Sequence, residues 1–177
     1  VLESRDLHVA DPWFRLSVQR IQLPDGRVVD EYYRIAMPAY AVIVATTADG
    51  RFVMERGYKH GPQREVLCLP AGLLHEGERP LDGARRELLE ETGYATDEWS
   101  FLGAYDAHGN YGCGRAEVFR AVNARVVAPA DSGDLEDYRV ELLTLEEIAA
   151  AIGRGDVALL STIAALSLAT HPLLGRR

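Results

Sequence analysis

Cysteine, lysine and long apolar runs are scarce in this chain. The two cysteines, Cys68 and Cys113, form no CxxC pair, which excludes a disulfide framework and a cysteine-built zinc site. They are expected as reduced thiols in a cytoplasmic protein. Lysine occurs once, at Lys59, against 18 arginines, so the single lysine is itself a candidate functional residue. No apolar run reaches the ~18 residues of a membrane span, and no membrane association is expected. The opening stretch VLESRDLHVADPWF lacks the basic start and apolar run of a secretory signal. Positive charge is short as well: 27 acidic residues face 19 basic ones, a net charge of −8. Unassisted nucleic-acid binding is therefore not expected. Any anionic ligand has to be brought in by a metal ion or by a few local cations.

What is present suits a globular chain. Its 177 residues are 47% apolar and 26% charged, enough to bury a core within one domain. FRLSVQRIQL (14–23) alternates apolar and polar residues, meets Pro24-Asp25-Gly26, and is followed by VVDEYYRIAM. That pattern predicts a β-hairpin. AYAVIVATT (39–47) predicts a buried strand, and ADGR predicts a turn into FVMERGY, a second hairpin. EVLCLP (65–70) reads as a strand stopped by Pro70. Pro80 to Glu91 predicts a helix, with proline in the first turn, Gly93 to end it, and Leu81, Ala84, Leu88 and Leu89 as its inward stripe. WSFLGAYDA (99–107), RAEVFRAVNARVV (115–127) and DYRVELL (137–143) predict further strands. Thr144 and Glu147 form a capping box opening a helix, and GDVALLSTIAALSLAT predicts a final apolar helix. The sum is an α+β chain with a mixed sheet, comprising an N-terminal hairpin over 1–37 and a main domain over 38–177.

Three glutamates stand out on the helix. Glu87, Glu90 and Glu91 recur at spacings of three and four, so they project near one face. Like charges so placed destabilise a bare helix. A hard divalent cation, which takes oxygen ligands and retains waters, reverses that sign. The surrounding segment, GLLHEGERPLDGARRELLEETGY, fills every fixed position of Gly-x5-Glu-x7-Arg-Glu-U-x-Glu-Glu-x-Gly-U, where U is bulky and apolar: Gly72, Glu78, Arg86, Glu87, Leu88, Glu90, Glu91, Gly93 and Tyr94. At ordinary residue frequencies a chance match is on the order of 10⁻⁹ per window.

This segment resembles the Nudix box of the Nudix hydrolase superfamily. The resemblance implies an α/β/α sandwich and hydrolysis of a diphosphate joined to a nucleoside, with Mg²⁺ or Mn²⁺ as cofactor. Carried over by position, Glu87, Glu90, Glu91 and the backbone of Ala71 are the candidate metal ligands. Arg86 and Glu78 match an ion pair holding loop to helix, and Gly72 and Gly93 match positions of special backbone conformation. Arg86 and Glu90 are also candidate catalytic residues. VMERGYKHGPQREVLCLPAG is similar to the segment before the box in the ADP-ribose pyrophosphatase branch, which makes Arg56 and Lys59 candidate substrate contacts. DLEDYRVELLTLEE resembles that branch's C-terminal part, where an acidic loop supplies a base; Glu136 is the matching candidate, flanked by Asp134 and Asp137. The N-terminal hairpin matches an element that the branch exchanges across a homodimer, with Trp13 a candidate contact to the nucleoside.

One feature departs from the branch. Gly109 and Asn110 stand where a proline is common, which leaves the sugar open and makes His108, Tyr111 and Arg115 candidate specificity residues. The alternatives are a Nudix hydrolase of nucleoside triphosphates or dinucleoside polyphosphates, a non-catalytic nucleotide-sugar sensor, and isopentenyl diphosphate isomerase chemistry. A complete box speaks against a sensor, and the lack of a cysteine placed with histidines speaks against an isomerase.

Overall fold

The structure is a computed structural model that describes residues 1–131, 133 and 138–174. The chain divides into two compact units, Val1–Ala39 with Tyr105–Ala116, and Tyr40–Ala104 with Glu117–Arg177.

The first unit is a meander of β1 (Glu3–Ala10), β2 (Phe14–Gln22) and β3 (Val28–Ala36), with both pairings antiparallel. The predicted hairpin is the β2–β3 pair. Its turn works as its residues require: Gly26 takes φ 87°, and Asp25 accepts bonds from the backbone N and the Nε of Arg27 at 3.1 and 2.7 Å. β1 is an addition, since its sequence ESRDLHVA is mostly polar and exposed and its partner is the flank of β2. The segment near Tyr111 closes the unit: Ile35 N donates to Tyr111 O at 2.9 Å, and the Tyr32 hydroxyl donates to Asn110 O at 2.5 Å.

The second unit contains β4 (Tyr40–Ala45), β5 (Phe52–Lys59), β6 (Arg64–Cys68), β7 (Ala71–Leu73), α1 (Pro80–Thr92), β8 (Tyr94–Ala95), most of β9 (Glu98–His108) and β10 (Gly112–Val122), then β11 (Arg125–Val126), β12 (Tyr138–Leu143), α2 (Leu145–Arg154) and α3 (Leu160–Thr170). β4 is its centre. It pairs with β7 on one edge and neighbours β10 on the other. Its alternate residues Ala41, Ile43 and Ala45 pack with Ala84 and Leu88 of α1 and with Phe119 and Ala121. Val42 and Val44 point to the opposite face, where α3 packs on β4. Complete burial of each branched side chain contributes roughly 1.5–3 kcal/mol. Helices on both faces of a mixed sheet give the expected layered α+β class.

The β4–β5 hairpin is not formed. One isolated bridge, Thr46 to Phe52, follows the ADGR turn, and β5 then enters a separate sheet of order β12-β5-β6. A strand has two hydrogen-bonding edges, and those of β4 are taken by β7 and β10. Leu89 also departs from expectation. It is exposed, because it lies about 100° around the helix from buried Leu88. The capping box at Thr144 and Glu147 is present in both directions. Among the described residues no helix is long and apolar enough to cross a membrane.

Candidate active site

The carboxylates are positioned by a strand–loop–helix segment running from β7 through α1. Pro80 opens the helix, and Gly93 ends it in the left-handed conformation at φ 75°, its N–H donating to Leu89 O. A Cβ at Gly93 would also run into the Ala128 carbonyl. Gly72 serves a different purpose from the one the resemblance implies, for it has no positive φ. A Cβ there would overlap the Glu87 carboxyl group. Glycine at 72 therefore makes room for a carboxylate against the β7 backbone.

Arg86 is the hub. Its Nε and Nη2 donate to the two oxygens of Glu78 at 3.0 and 2.9 Å, a two-pronged pair. Nη2 also donates to Leu73 O at 3.0 Å, and Nη1 reaches Glu87 at 2.7 Å and Glu90 at 3.1 Å. The loop is thereby tied to the helix, as the box implies. Glu78 feels this most. Its bonds from Arg86, and one from the His75 backbone N at 2.9 Å, bring its pKa down to about 2. The same acceptors, Glu78 first, raise the pKa of Arg86.

Glu87 and Glu91 lie under 10% exposed, and Glu55 of β5 is 2% exposed. Glu91 accepts a hydrogen bond from Ala71 N at 2.8 Å. Burial and then the nearby charges of Glu55 and Glu87 push its pKa up, against weaker help from Ala71 N and Lys59. Glu90 is the open member of the set, its side chain 44% exposed. Among the described residues no three acidic, histidine or cysteine side chains converge closely enough to hold a metal ion. The cause is visible: Arg86 binds Glu87 and Glu90, while Glu91 turns to Ala71 N. The donors nevertheless suit a hard divalent cation in chemistry. They are oxygens, and their buried cluster is one whose charge repulsion a cation would relieve.

The other predicted residues fall in several places. Arg56 donates from Nε to Glu141 at 2.8 Å, lies 4.0 Å from Asp156, and is 17% exposed. It is held in a network between β5 and β12. Lys59, half-buried at the end of β5, places Nζ 4.6 Å from the ring centre of Tyr138, and its charge is felt by Glu91. Trp13 and His108 belong to the first unit. Trp13 is exposed. The Nδ1 of His108 accepts from the backbone N–H groups of Asn110 and Tyr111 at 3.3 and 3.4 Å, and its ring lies 4.8 Å from that of Tyr111. Glu136, with Asp134 and Asp137, lies outside the described residues. Glu55, Glu141 and Asp156 were missed. For Glu55 the signal was a lone acid inside the apolar run FVMERGY.

The fold and this segment define a class: the chain belongs to the Nudix family, and the NUDIX domain matches residues 36–161. Within the family, the chain is 30% identical to an ADP-ribose pyrophosphatase of Bacillus subtilis over 134 residues, 75% of this chain and 71% of that protein. It is also 30% identical to an ADP-ribose pyrophosphatase of Mycobacterium tuberculosis over 172 residues, 96% of this chain and 82% of that one. The crystal structure of an ADP compounds hydrolase superposes with a TM-score of 0.82 at 20% identity, covering 98% of this chain and 93% of the other. That last likeness concerns the fold.

Proposed function

We propose that the chain is a pyrophosphohydrolase that cleaves the diphosphate bond of a nucleoside diphosphate sugar of the ADP-ribose type. The observation that carries the reading is the Arg86-centred segment, in which every fixed box residue is present and three glutamates gather beside Gly72. The two ADP-ribose pyrophosphatase relatives support the substrate class. Water adds to one phosphorus, one P–O bond of the anhydride breaks, and two phosphomonoesters leave.

Glu87, Glu90, Glu91 and the backbone at Ala71 would hold Mg²⁺ or Mn²⁺. When bound, such an ion neutralises diphosphate charge and lowers the pKa of a bound water. Glu90, the exposed carboxylate, is placed to take the proton from the attacking water, and Glu136 is the second candidate for that task. Arg86 exchanges its contacts with Glu87 and Glu90 as they turn to the cation, while its pair with Glu78 keeps loop and helix together. Lys59 supplies positive charge to the substrate phosphates, with Arg56 beside it on β5. Trp13 and His108 contact the nucleoside or sugar. Residues 1–37 form the interface of a homodimer, and the enzyme works in the cytoplasm.

Incubating the purified protein with Mg²⁺ or Mn²⁺ and a panel of nucleotide sugars, dinucleotides and triphosphates, then measuring released phosphomonoester, tests the reading. Turnover of ADP-ribose or a related sugar is expected, reduced by about 10²-fold or more in Glu90→Gln or Glu91→Gln. Ligand binding without turnover of any panel member would overturn it in favour of a sensor.

A further inference from the structure

Away from the box, the second unit has a cleft of about 440 Å³ on the face of β4 opposite α1. Val44 lines it, and Val44 alternates with the residues that pack on α1. In a chain with a net charge of −8, none of the eight lining residues is acidic, and two are Arg120 and His171. Arg120 shares this face by the same alternation, since its neighbours Phe119 and Ala121 are the ones in the α1 core. Its guanidinium makes no hydrogen bond or ion pair among the described residues. The Nδ1 of His171 accepts from Leu173 N at 3.2 Å, which leaves Nε2–H as a donor in the neutral ring. Thr46 adds a hydroxyl, and Val44, Phe52 and Pro172 supply apolar wall.

These donors have no acceptor among the lining carboxylates, because there are none. The end of α3 lies nearby, and a helix C-terminus carries about half a negative charge. Two of its last carbonyls are already bonded, Leu166 O to the Thr170 hydroxyl and Ser167 O to His171 N, so the full charge of Arg120 prevails. The size and the mixture of apolar wall with a few convergent polar groups are those of a small-molecule site.

We propose that this cleft is a second anion site for a phosphomonoester, with the phosphate on Arg120 and His171 and its organic part on Val44, Phe52 and Pro172. The site is separate from the box and does not depend on the reaction assigned there. The test is an NMR titration of the metal-free protein with inorganic phosphate and, in parallel, phenyl phosphate. Saturable shifts are expected at Thr46, Arg120 and His171, with phenyl phosphate binding several-fold more tightly. Arg120→Gln should weaken binding by about tenfold or more, His171→Gln by less, and Glu91→Gln should leave it unchanged. Both exposed positions tolerate substitution, and unchanged spectra elsewhere verify the fold. Shifts centred on α1, binding unaltered by Arg120→Gln, or no saturable shift would overturn the site. Equal affinity for the two probes would overturn the phosphomonoester in favour of inorganic phosphate.

Discussion

Glu78 and Glu91 stand at opposite ends of one loop–helix segment and carry the same carboxyl group, yet their surroundings drive them in opposite directions. Glu78 is gripped by both prongs of Arg86 and by a backbone N–H, and its pKa falls to about 2. Glu91 has one backbone N–H, two acidic neighbours and little water, and its pKa rises. The first carboxylate is stabilised by its fold. The second is stored in a place that disfavours its charge, which is what a seat for a cation requires. The difference lies in which charge each meets, because both are well buried.

The largest expected effect comes from removing the hub. Arg86→Ala leaves Glu78 and Glu87 without their cation, and breaking a buried pair from one side costs about 3–5 kcal/mol. With Arg86 22% exposed, about 3 kcal/mol is expected in urea unfolding, and the contrast between Glu78 and Glu91 should narrow. Gly72→Ala comes next. It pushes Glu87 out of its place, with a loss of about 1–3 kcal/mol and a matching loss of turnover; an unchanged urea midpoint would contradict the close approach at Gly72.

The pH dependence separates the two carboxylates by sign. Glu78 has a lowered pKa, so its contribution is present above the ordinary value of 4.5 and is lost as pH falls toward about 2. Glu91 has a raised pKa, so its contribution is complete below 4.5 and is lost as pH rises through the raised value. Each proton changes stability by about 1.4 kcal/mol per pH unit within its window. Unfolding midpoints in chelator should therefore decline on both sides of a mildly acidic maximum. Glu91→Gln should flatten the alkaline side and Glu78→Gln the acidic side. An alkaline side unchanged by Glu91→Gln would break the contrast. The smallest effect belongs to Arg79→Ala. Its pair with Asp82 has distances as short as those of Arg86, at 2.6 and 2.9 Å, but Arg79 is 78% exposed, and the change in stability should stay within about 0.5 kcal/mol.

Local rules made much of this legible in advance. The box could be read because its spacing is fixed by a single helix, and the ends of α1 followed from Pro80 and Gly93. The turn at Asp25-Gly26 and the cap at Thr144 were legible for the same reason, since each depends on residues within four positions. What sequence could not supply was non-local. β5 leaves β4 because its partner β12 lies some 80 residues downstream, pairing Arg56 with Arg139. Arg56 looked like a ligand contact and is bound by Glu141 from that distant strand. Glu55 became part of the carboxylate cluster only when β5 buried it. Gly72 was expected to serve backbone conformation, and its actual neighbour is a side chain 15 positions on.

β4 is bonded along both edges and covered on both faces, so no small opening exposes its amides to solvent. Its backbone protons should be among the last in the second unit to exchange with deuterium, released only when the whole unit unfolds. The strand that supports the box is thus also the part of the unit that registers its global stability.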